Sequence, residues 1–309
     1  MKNIYFNHDG NIDDLVSLLL LLQAPDIKLI GISAIDGDGY IDPAVEACRK
    51  MVDKFNLRGD KLEVARSNSR AIHQFPKEWR MATYSFNYFP ILNESGEIKT
   101  PEAALPAHLD MIDKIKKSDG PVTLVMTGPI TDLARALDED DSIQSKIDKV
   151  YWMGGSLDGH GNVVSVDADG TQEWNAFWDP EAVKRVLDSD LKIHQMVGLE
   201  STEELPLTDE LRQHWASLRK YPAIDLVGLG YSLIISVPNA ELYLWDVLTT
   251  MSALYPELVE TRQVKANVIT SGLASGRMFI DPNGKEITEV TKADKDSFFE
   301  KIDKILERQ

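Results

Sequence analysis

Short apolar runs alternate along this chain with stretches in which apolar residues recur every three or four positions. The runs at 4–6, 28–34, 122–126, 149–153 and 192–197 are brief and several are rich in β-branched residues, the pattern of buried strands. Between them, 13–22, 43–55, 106–117, 131–137, 180–187 and 246–254 read as helices. Pro43, Pro106 and Pro180 stand where a first helical residue is expected, since proline lacks only an N–H that the first turn leaves unused. This alternation predicts an α/β fold: an open, mostly parallel sheet flanked by helices. A charged segment near 292–307 predicts a last helix solvated on one face. No repeat, low-complexity tract or linker divides the chain, so residues 1–309 read as one domain. Residues 66–101, where Ser, Asn, Pro and aromatic residues mix, are the least regular and form a candidate lid; 230–244 form a second.

The first strand runs into Asn7-His8-Asp9-Gly10-Asn11-Ile12-Asp13-Asp14 and then an apolar run to Leu22. Three carboxylates in six positions, at the carboxyl end of a strand, repel one another unless a cation or shared proton relieves them. Their hard oxygens point to Ca²⁺ or Mg²⁺ rather than zinc. The same residues also suit a plain acidic helix start, with Asp13 and Asp14 at the positive end of the helix dipole. Two further constellations carry chemistry. Residues 167–179 bring Glu173, Asn175, Trp174 and Trp178 together, hydrogen-bonding groups among aromatic rings that suit a sugar beside a planar base. Asp246 follows Trp245 in an apolar context, where a carboxylate is buried or poised for a cation. Both stretches also read as capped turns or helix starts.

Composition narrows the classes. The 43% hydrophobic and 27% charged residues are those of a soluble globular chain. A net charge of −17 argues against nucleic acid or an anionic membrane as partner. The single cysteine, Cys48, permits no internal disulfide and fits a reducing cytoplasm. The N-terminus lacks an apolar signal core, and residues 15–22 are too few to span a bilayer. Phosphate-loop, nucleophile-elbow and His-Glu-x-x-His motifs are absent, and the runs at 36–39 and 167–170 lack EF-hand spacing. Asn7 stands where an aspartyl-phosphate enzyme needs its nucleophile.

Taken together, the motifs resemble those of the calcium-dependent nucleoside hydrolases, most closely the purine-preferring (inosine–adenosine–guanosine) branch. The matching stretches are the 7–14 motif, Phe75-Pro76-Lys77-Glu78-Trp79-Arg80, Thr127-Gly128-Pro129, Met153-Gly154-Gly155, Asp169-Gly170-Thr171-Gln172-Glu173-Trp174-Asn175 and Trp245-Asp246. The resemblance implies a Ca²⁺ held by Asp9, Asp14, Asp246 and the Thr127 carbonyl. It implies a ribose held by Asn11, Asp13, Asp38, Asn162, Glu173 and Asn175, with Met153 against it, and a base between Trp79 and Trp245. Asp9 then becomes the general base, and Trp245, where pyrimidine-accepting relatives carry His, helps a purine leave. The expected activity is hydrolysis of ribonucleosides to ribose and base in purine salvage, by a cytoplasmic homodimer or other homo-oligomer. A broad or pyrimidine preference is the alternative within the family, and a non-catalytic nucleoside binder the alternative outside it. Two departures stand out. Asn7 replaces the Asp that usually opens the motif, and is expected one layer behind the metal ligands, with weaker calcium binding as its effect. Residues 236–244 lack the arginine that purine-preferring relatives carry there, which bears on loop gating and product release.

Overall fold

The computed structural model describes residues 1–191, 194–233 and 242–308. Among the described residues nine strands form one sheet: β1 (Lys2–His8), β2 (Ile27–Ala34), β3 (Val64–Arg66), β4 (Val122–Met126), β5 (Ile147–Met153), β6 (His194–Val197), β7 (Val259–Val268), β8 (Met278–Ile280) and β9 (Lys285–Ala293). Their order is β3-β2-β1-β4-β5-β6-β9-β7-β8. All pairings from β3 to β9 are parallel, while β7 lies antiparallel to both β9 and β8. The predicted parallel sheet is therefore present, with an antiparallel extension at one edge. Strand β7 escapes the sequence pattern because most of its first half is exposed and polar. Its partner is chosen by the ladder rather than by an apolar run. Residues 192–193 of the predicted fifth strand lie outside the described residues.

Between β1 and β2 runs helix Ile12–Gln23, in which every residue is buried. It packs against helices Ile41–Phe55, Trp245–Leu254 and Lys295–Leu306. A helix apolar all round is one enclosed on all sides, which is why its leucines are continuous rather than periodic. Of the three marked prolines only Pro180 is the first residue of its helix; Pro106 caps the next, and Pro43 is the third residue of helix Ile41–Phe55. The last helix starts at Lys295, capped by Asp294, because Lys292 and Ala293 are held by β9 opposite Glu260 and Val259.

The irregular stretch 66–101 contains three short helices, Lys77–Arg80, Ala82–Asn87 and Pro90–Asn93. Its far side is tied to helix Ile41–Phe55. The buried Lys50 ammonium donates to the backbone and side-chain oxygens of Asn87, at 3.1 and 2.9 Å. Asp53 accepts from the Lys99 and Thr100 amides at 2.7 and 2.9 Å. Of the second candidate lid, residues 234–241 lie outside the described residues. Among the described residues no helix is long and apolar enough to cross a membrane.

Strand order reverses at β1, which leads on one side to β2 and on the other to β4. In open parallel sheets the crevice beyond the strand ends at such a point is the ligand site. Asp9 follows β1 and Thr127 follows β4, one on each side of that crevice.

Candidate active site

The chain leaves β1 through Gly10, whose φ of 91° suits glycine and whose missing side chain would meet Ala44 Cβ at 2.3 Å. Asn11 then caps helix Ile12–Gln23: its Oδ1 accepts from the Ile12 amide at 2.8 Å, and its own amide donates to Asp14 Oδ2 at 2.8 Å. This capping box aims Asp14 back at the strand end and leaves Asp13 beside it. Helix Trp245–Leu254 brings Asp246 to the same place in its first turn. Ligand oxygens of Asp13, Asp14 and Asp246 lie within 4.8 Å of one another. Thr127 donates its hydroxyl to Asp14 Oδ1 at 2.6 Å. Asp9 stands within hydrogen-bonding reach of Asp14, and its Oδ2 accepts from the Asp38 amide at 2.8 Å. Asp38 Oδ2 in turn accepts from Asn11 Nδ2 at 2.6 Å.

Five carboxylates thus share one buried crevice. Burial is the larger cause, and repulsion from neighbouring carboxylates the next, that holds Asp9, Asp13, Asp14, Asp38 and Asp246 above the usual carboxylate range. The donor set, oxygen throughout and without sulfur or imidazole, is that of a hard-cation site. Asp38 Oδ1 and Asn175 Oδ1 are buried with no hydrogen-bond partner among the described residues, leaving acceptors free for a ligand's hydroxyls. The residues present fit a divalent cation.

The wall beyond β4 and β5 is braced by side-chain hydrogen bonds to the backbone. Glu173 is buried and caps helix Trp174–Trp178, accepting from the Asn175, Gly155 and Ala176 amides at 2.9, 2.8 and 3.0 Å. Its carboxylate is largely taken up by the backbone. Asn175 Nδ2 donates to the Thr127 and Met153 carbonyls, both at 3.2 Å, and touches Met153 Sδ at 3.4 Å. The structure therefore joins Thr127, Met153 and Asn175 directly. Asn162 is exposed, and its Oδ1 accepts from the Trp174 amide at 3.2 Å.

The aromatic residues separate into two groups. Trp174 is buried against Phe75, with ring centroids 5.1 Å apart, and meets Trp79 edge-on at 5.5 Å. Trp79 itself is 47% exposed. Trp245 opens its helix beside Asp246 and meets Tyr243 edge-on at 5.8 Å. Among the described residues no ring contact joins Trp79 to Trp245, so a sandwich would need a ring between them.

Asn7 stands behind the crevice with its side chain engaged elsewhere. Its side chain turns from the carboxylates to a buried network, donating to Ser33 Oγ at 2.8 Å and Asp132 Oδ2 at 3.2 Å. Asp132 Oδ1 accepts from the Ser67 and Ser69 hydroxyls, both at 2.8 Å. The tie from Asn7 to the crevice runs through its carbonyl, which accepts from the Thr127 amide at 2.9 Å. Three further residues had no role in the sequence patterns. Tyr231 is buried, with its hydroxyl unpartnered among the described residues and in the field of Asp13, Asp246 and Asp14. Its one signal was a lone phenol in an apolar helix. Arg80 and Asp36 stand within the quoted stretches 75–80 and 36–39, where no role was assigned to them, and their ion pair grips the loop that carries Asp38.

The fold is of the α/β class, with a buried carboxylate crevice at its switch point that could hold a metal ion, and the comparisons specify the family. The profile of the family "Inosine-uridine preferring nucleoside hydrolase" matches residues 4–300. The chain belongs to this family, and with it to the ribonucleoside-hydrolysing enzymes. A crystal structure of an inosine-uridine preferring nucleoside hydrolase from Bacillus anthracis superposes with a TM-score of 0.96 at 43% identity, covering 99% of each chain. Uridine nucleosidase 1 of Arabidopsis thaliana is 25% identical over 307 residues, 91% of this chain and 82% of that one. A pyrimidine-specific ribonucleoside hydrolase of Shewanella sp. is 30% identical over 219 residues, 68% of this chain and 62% of that one.

The Asn7–Asp132 pair yields a test of the layer behind the crevice. Asp132 is held above the usual carboxylate range by burial, and the Asn7 amide offsets part of that. Asn7→Asp removes the donor and adds a second buried carboxyl, whose folded-state pKa is then raised. Its cost is absent below about pH 4, where both groups are protonated in either state, and grows as pH rises through the unfolded value. Urea unfolding should show N7D about 1–3 kcal/mol less stable than wild type at pH 8, with the gap closing toward pH 4. The double exchange Asn7→Asp/Asp132→Asn restores one donor facing one carboxylate and should recover most of the loss. A pH-independent deficit, or no recovery in the double variant, would refute this account of the pair.

Proposed function

We propose that the protein is a calcium-dependent hydrolase of the N-glycosidic bond of ribonucleosides, with a preference for purine nucleosides, giving ribose and free base. The observation that carries the reading is the convergence of Asp13, Asp14 and Asp246 within 4.8 Å at the strand-order reversal, with Asp9 held beside them by the Asp38 amide. Calcium is favoured because it takes 6–8 oxygens in a flexible arrangement, which leaves positions for water and vicinal hydroxyls. Asp9, Asp14, Asp246 and the Thr127 carbonyl are the ligands we assign. Once bound, the cation supplies a hard electrostatic centre that orients ribose oxygens and lowers the pKa of a coordinated water.

Cleavage develops oxocarbenium character on the ribose. Asp9, buried and aimed by the Asp38 amide, is assigned as the group that accepts the proton of the attacking water. Asn11, Asp13, Asp38 and Asn175 surround the sugar, and the unpartnered oxygens of Asp38 and Asn175 accept its hydroxyl protons. Glu173 and Asn162 are assigned to the ribose as well, with Met153 packed against it, and the amides they accept from place Asn175 and Trp174. Trp79 and Trp245 flank the base from opposite segments, Trp174 backs Trp79, and stacking raises the basicity of purine N7 so that solvent can protonate it. Trp245 immediately before Asp246 is the basis for the purine preference. Broad or pyrimidine preference is the second reading, favoured by the names of the Arabidopsis and Shewanella relatives. We further assign the enzyme to cytoplasmic purine salvage.

Inosine, guanosine, uridine and cytidine assayed with added calcium decide between the readings. Purine turnover well above pyrimidine turnover, abolished by chelation and restored by calcium, is expected. Pyrimidine turnover equal to or above purine turnover overturns the preference, and activity that survives exhaustive chelation overturns the metal assignment. Asp9→Asn should lower kcat about 10²–10⁴-fold, the usual range for loss of a general base. Near-normal turnover in that variant would exclude Asp9. Trp245→Ala, with its calcium content verified, should slow inosine far more than p-nitrophenyl riboside, whose leaving group departs without protonation. Equal losses on the two would reduce Trp245 to packing.

A further inference from the structure

Arg80 lies beside Trp79 yet is turned inward and 7% exposed. Its Nη2 pairs with Asp36 Oδ1 at 2.5 Å, its Nε donates to the Gly37 carbonyl at 3.0 Å, and its guanidinium lies 4.1 Å from the centroid of the Tyr40 ring. These three partners sit in a single five-residue loop after β2, and the middle residue of that loop is Asp38. The loop is gripped from the same segment at two more points. Gln74 Nε2 donates to the Asp36 carbonyl at 2.8 Å, and Thr83 bridges, donating to the Arg80 carbonyl at 2.5 Å while accepting from the Tyr40 amide at 3.2 Å.

The loop is also pressed against Asp9. A Cβ at Gly37 would lie 2.3 Å from Asp9 Oδ2, and one at Gly39 would lie 2.5 Å from the Asp9 carbonyl. The Asp38 amide reaches Asp9 Oδ2 only while the loop holds this approach. A planar guanidinium with two directed hydrogen bonds and a stacked ring fixes both position and orientation, which a lysine's point charge cannot.

From this we infer that Arg80 is a positioning residue for the reaction: it locks the 36–40 loop so that Asp38 meets the ribose and the Asp38 amide aims the Asp9 carboxylate. Trp79 and Arg80 are consecutive, so the same short helix sets the exposed base-side ring and the buried sugar-side loop as one unit. This inference rests on the nucleoside hydrolase reading for its kinetic consequence, but not for its consequence on the carboxylates themselves.

The test compares wild type with Arg80→Ala, Arg80→Lys and Asp36→Asn. Calcium affinity of the apoprotein is measured by calorimetry, and kcat and KM are measured on inosine and p-nitrophenyl riboside. Supporting shells around metal ligands typically contribute about 10–100-fold to affinity or activity. R80A should weaken calcium binding about tenfold and lower kcat/KM on both substrates by a similar factor of about 10–100. R80K should fall between R80A and wild type. D36N, which keeps the acceptor for the Ile41 amide but loses the ion pair, should shift the same way by less. If R80A does not fold by circular dichroism, R80K and D36N carry the test. A loss confined to inosine would assign Arg80 to Trp79 alone and overturn the inference. So would a lowered melting temperature with calcium affinity and kinetics within twofold of wild type. Wild-type protein inactive on both substrates would overturn the proposed function instead, and calcium affinity would still decide the role of Arg80.

Discussion

Mutual repulsion among buried carboxylates is the constraint around which this structure is arranged. Asp13 and Asp14 open one helix and Asp246 opens another, so the positive ends of two helix dipoles face the same crevice. The dipoles, the Thr127 hydroxyl and the amides of Asn11 and Asp38 offset part of the cost of desolvating the cluster. They do not supply a full positive charge. The cluster is strained as a set of anions and suited to a cation, which is how a fold can hold a binding site ready at the expense of stability.

Holding such a cluster requires a rigid frame, and the frame is the strand-order reversal at β1. Strands β2 and β4 flank β1 in parallel, so three loops emerge side by side at the carboxyl end of the sheet. The enclosed helix Ile12–Gln23 cannot tilt without disturbing its packing on every side, and Asp13 and Asp14 inherit that rigidity. Behind the strands, Asn7, Ser33, Ser67, Ser69 and Asp132 form a buried polar network in which one carboxylate meets several donors. A backbone hydrogen bond from Thr127 to the Asn7 carbonyl couples it to the crevice. The side chain at position 7 therefore bears on the charge balance of this network.

The aromatic side of the crevice follows a different logic. Phe75, Trp174, Phe177 and Trp178 form a small satellite core with Ile35 and Val163. That packing supports Trp79 from behind while leaving much of its ring exposed. The irregular segment that carries Trp79 is pinned at both ends, by Arg80 to the Asp38 loop and by Lys50 and Asp53 to helix Ile41–Phe55. The exposed Trp79 ring and the Asp38 loop are thereby linked through covalent neighbours.

The chain by itself determined the parallel α/β class, because buried strands and enclosed helices need continuous apolar runs such as 15–22 and 122–126. It also marked the carboxylates, since Asp9, Asp13 and Asp14 are neighbours along one turn and their repulsion is readable without a fold. Tertiary structure alone decided the rest. Strand β7 owes its place to ladder hydrogen bonds with β9, which polar residues make as well as apolar ones. Three backbone amides converge on Glu173 only when its helix forms against the Gly155 turn. Asp38, Arg80 and Asp246 come from segments distant in sequence, and nothing local reveals which charges will meet. Residue type and spacing carry information about the near neighbours of a chain, whereas the partners of a buried charge are selected by the packing of the whole.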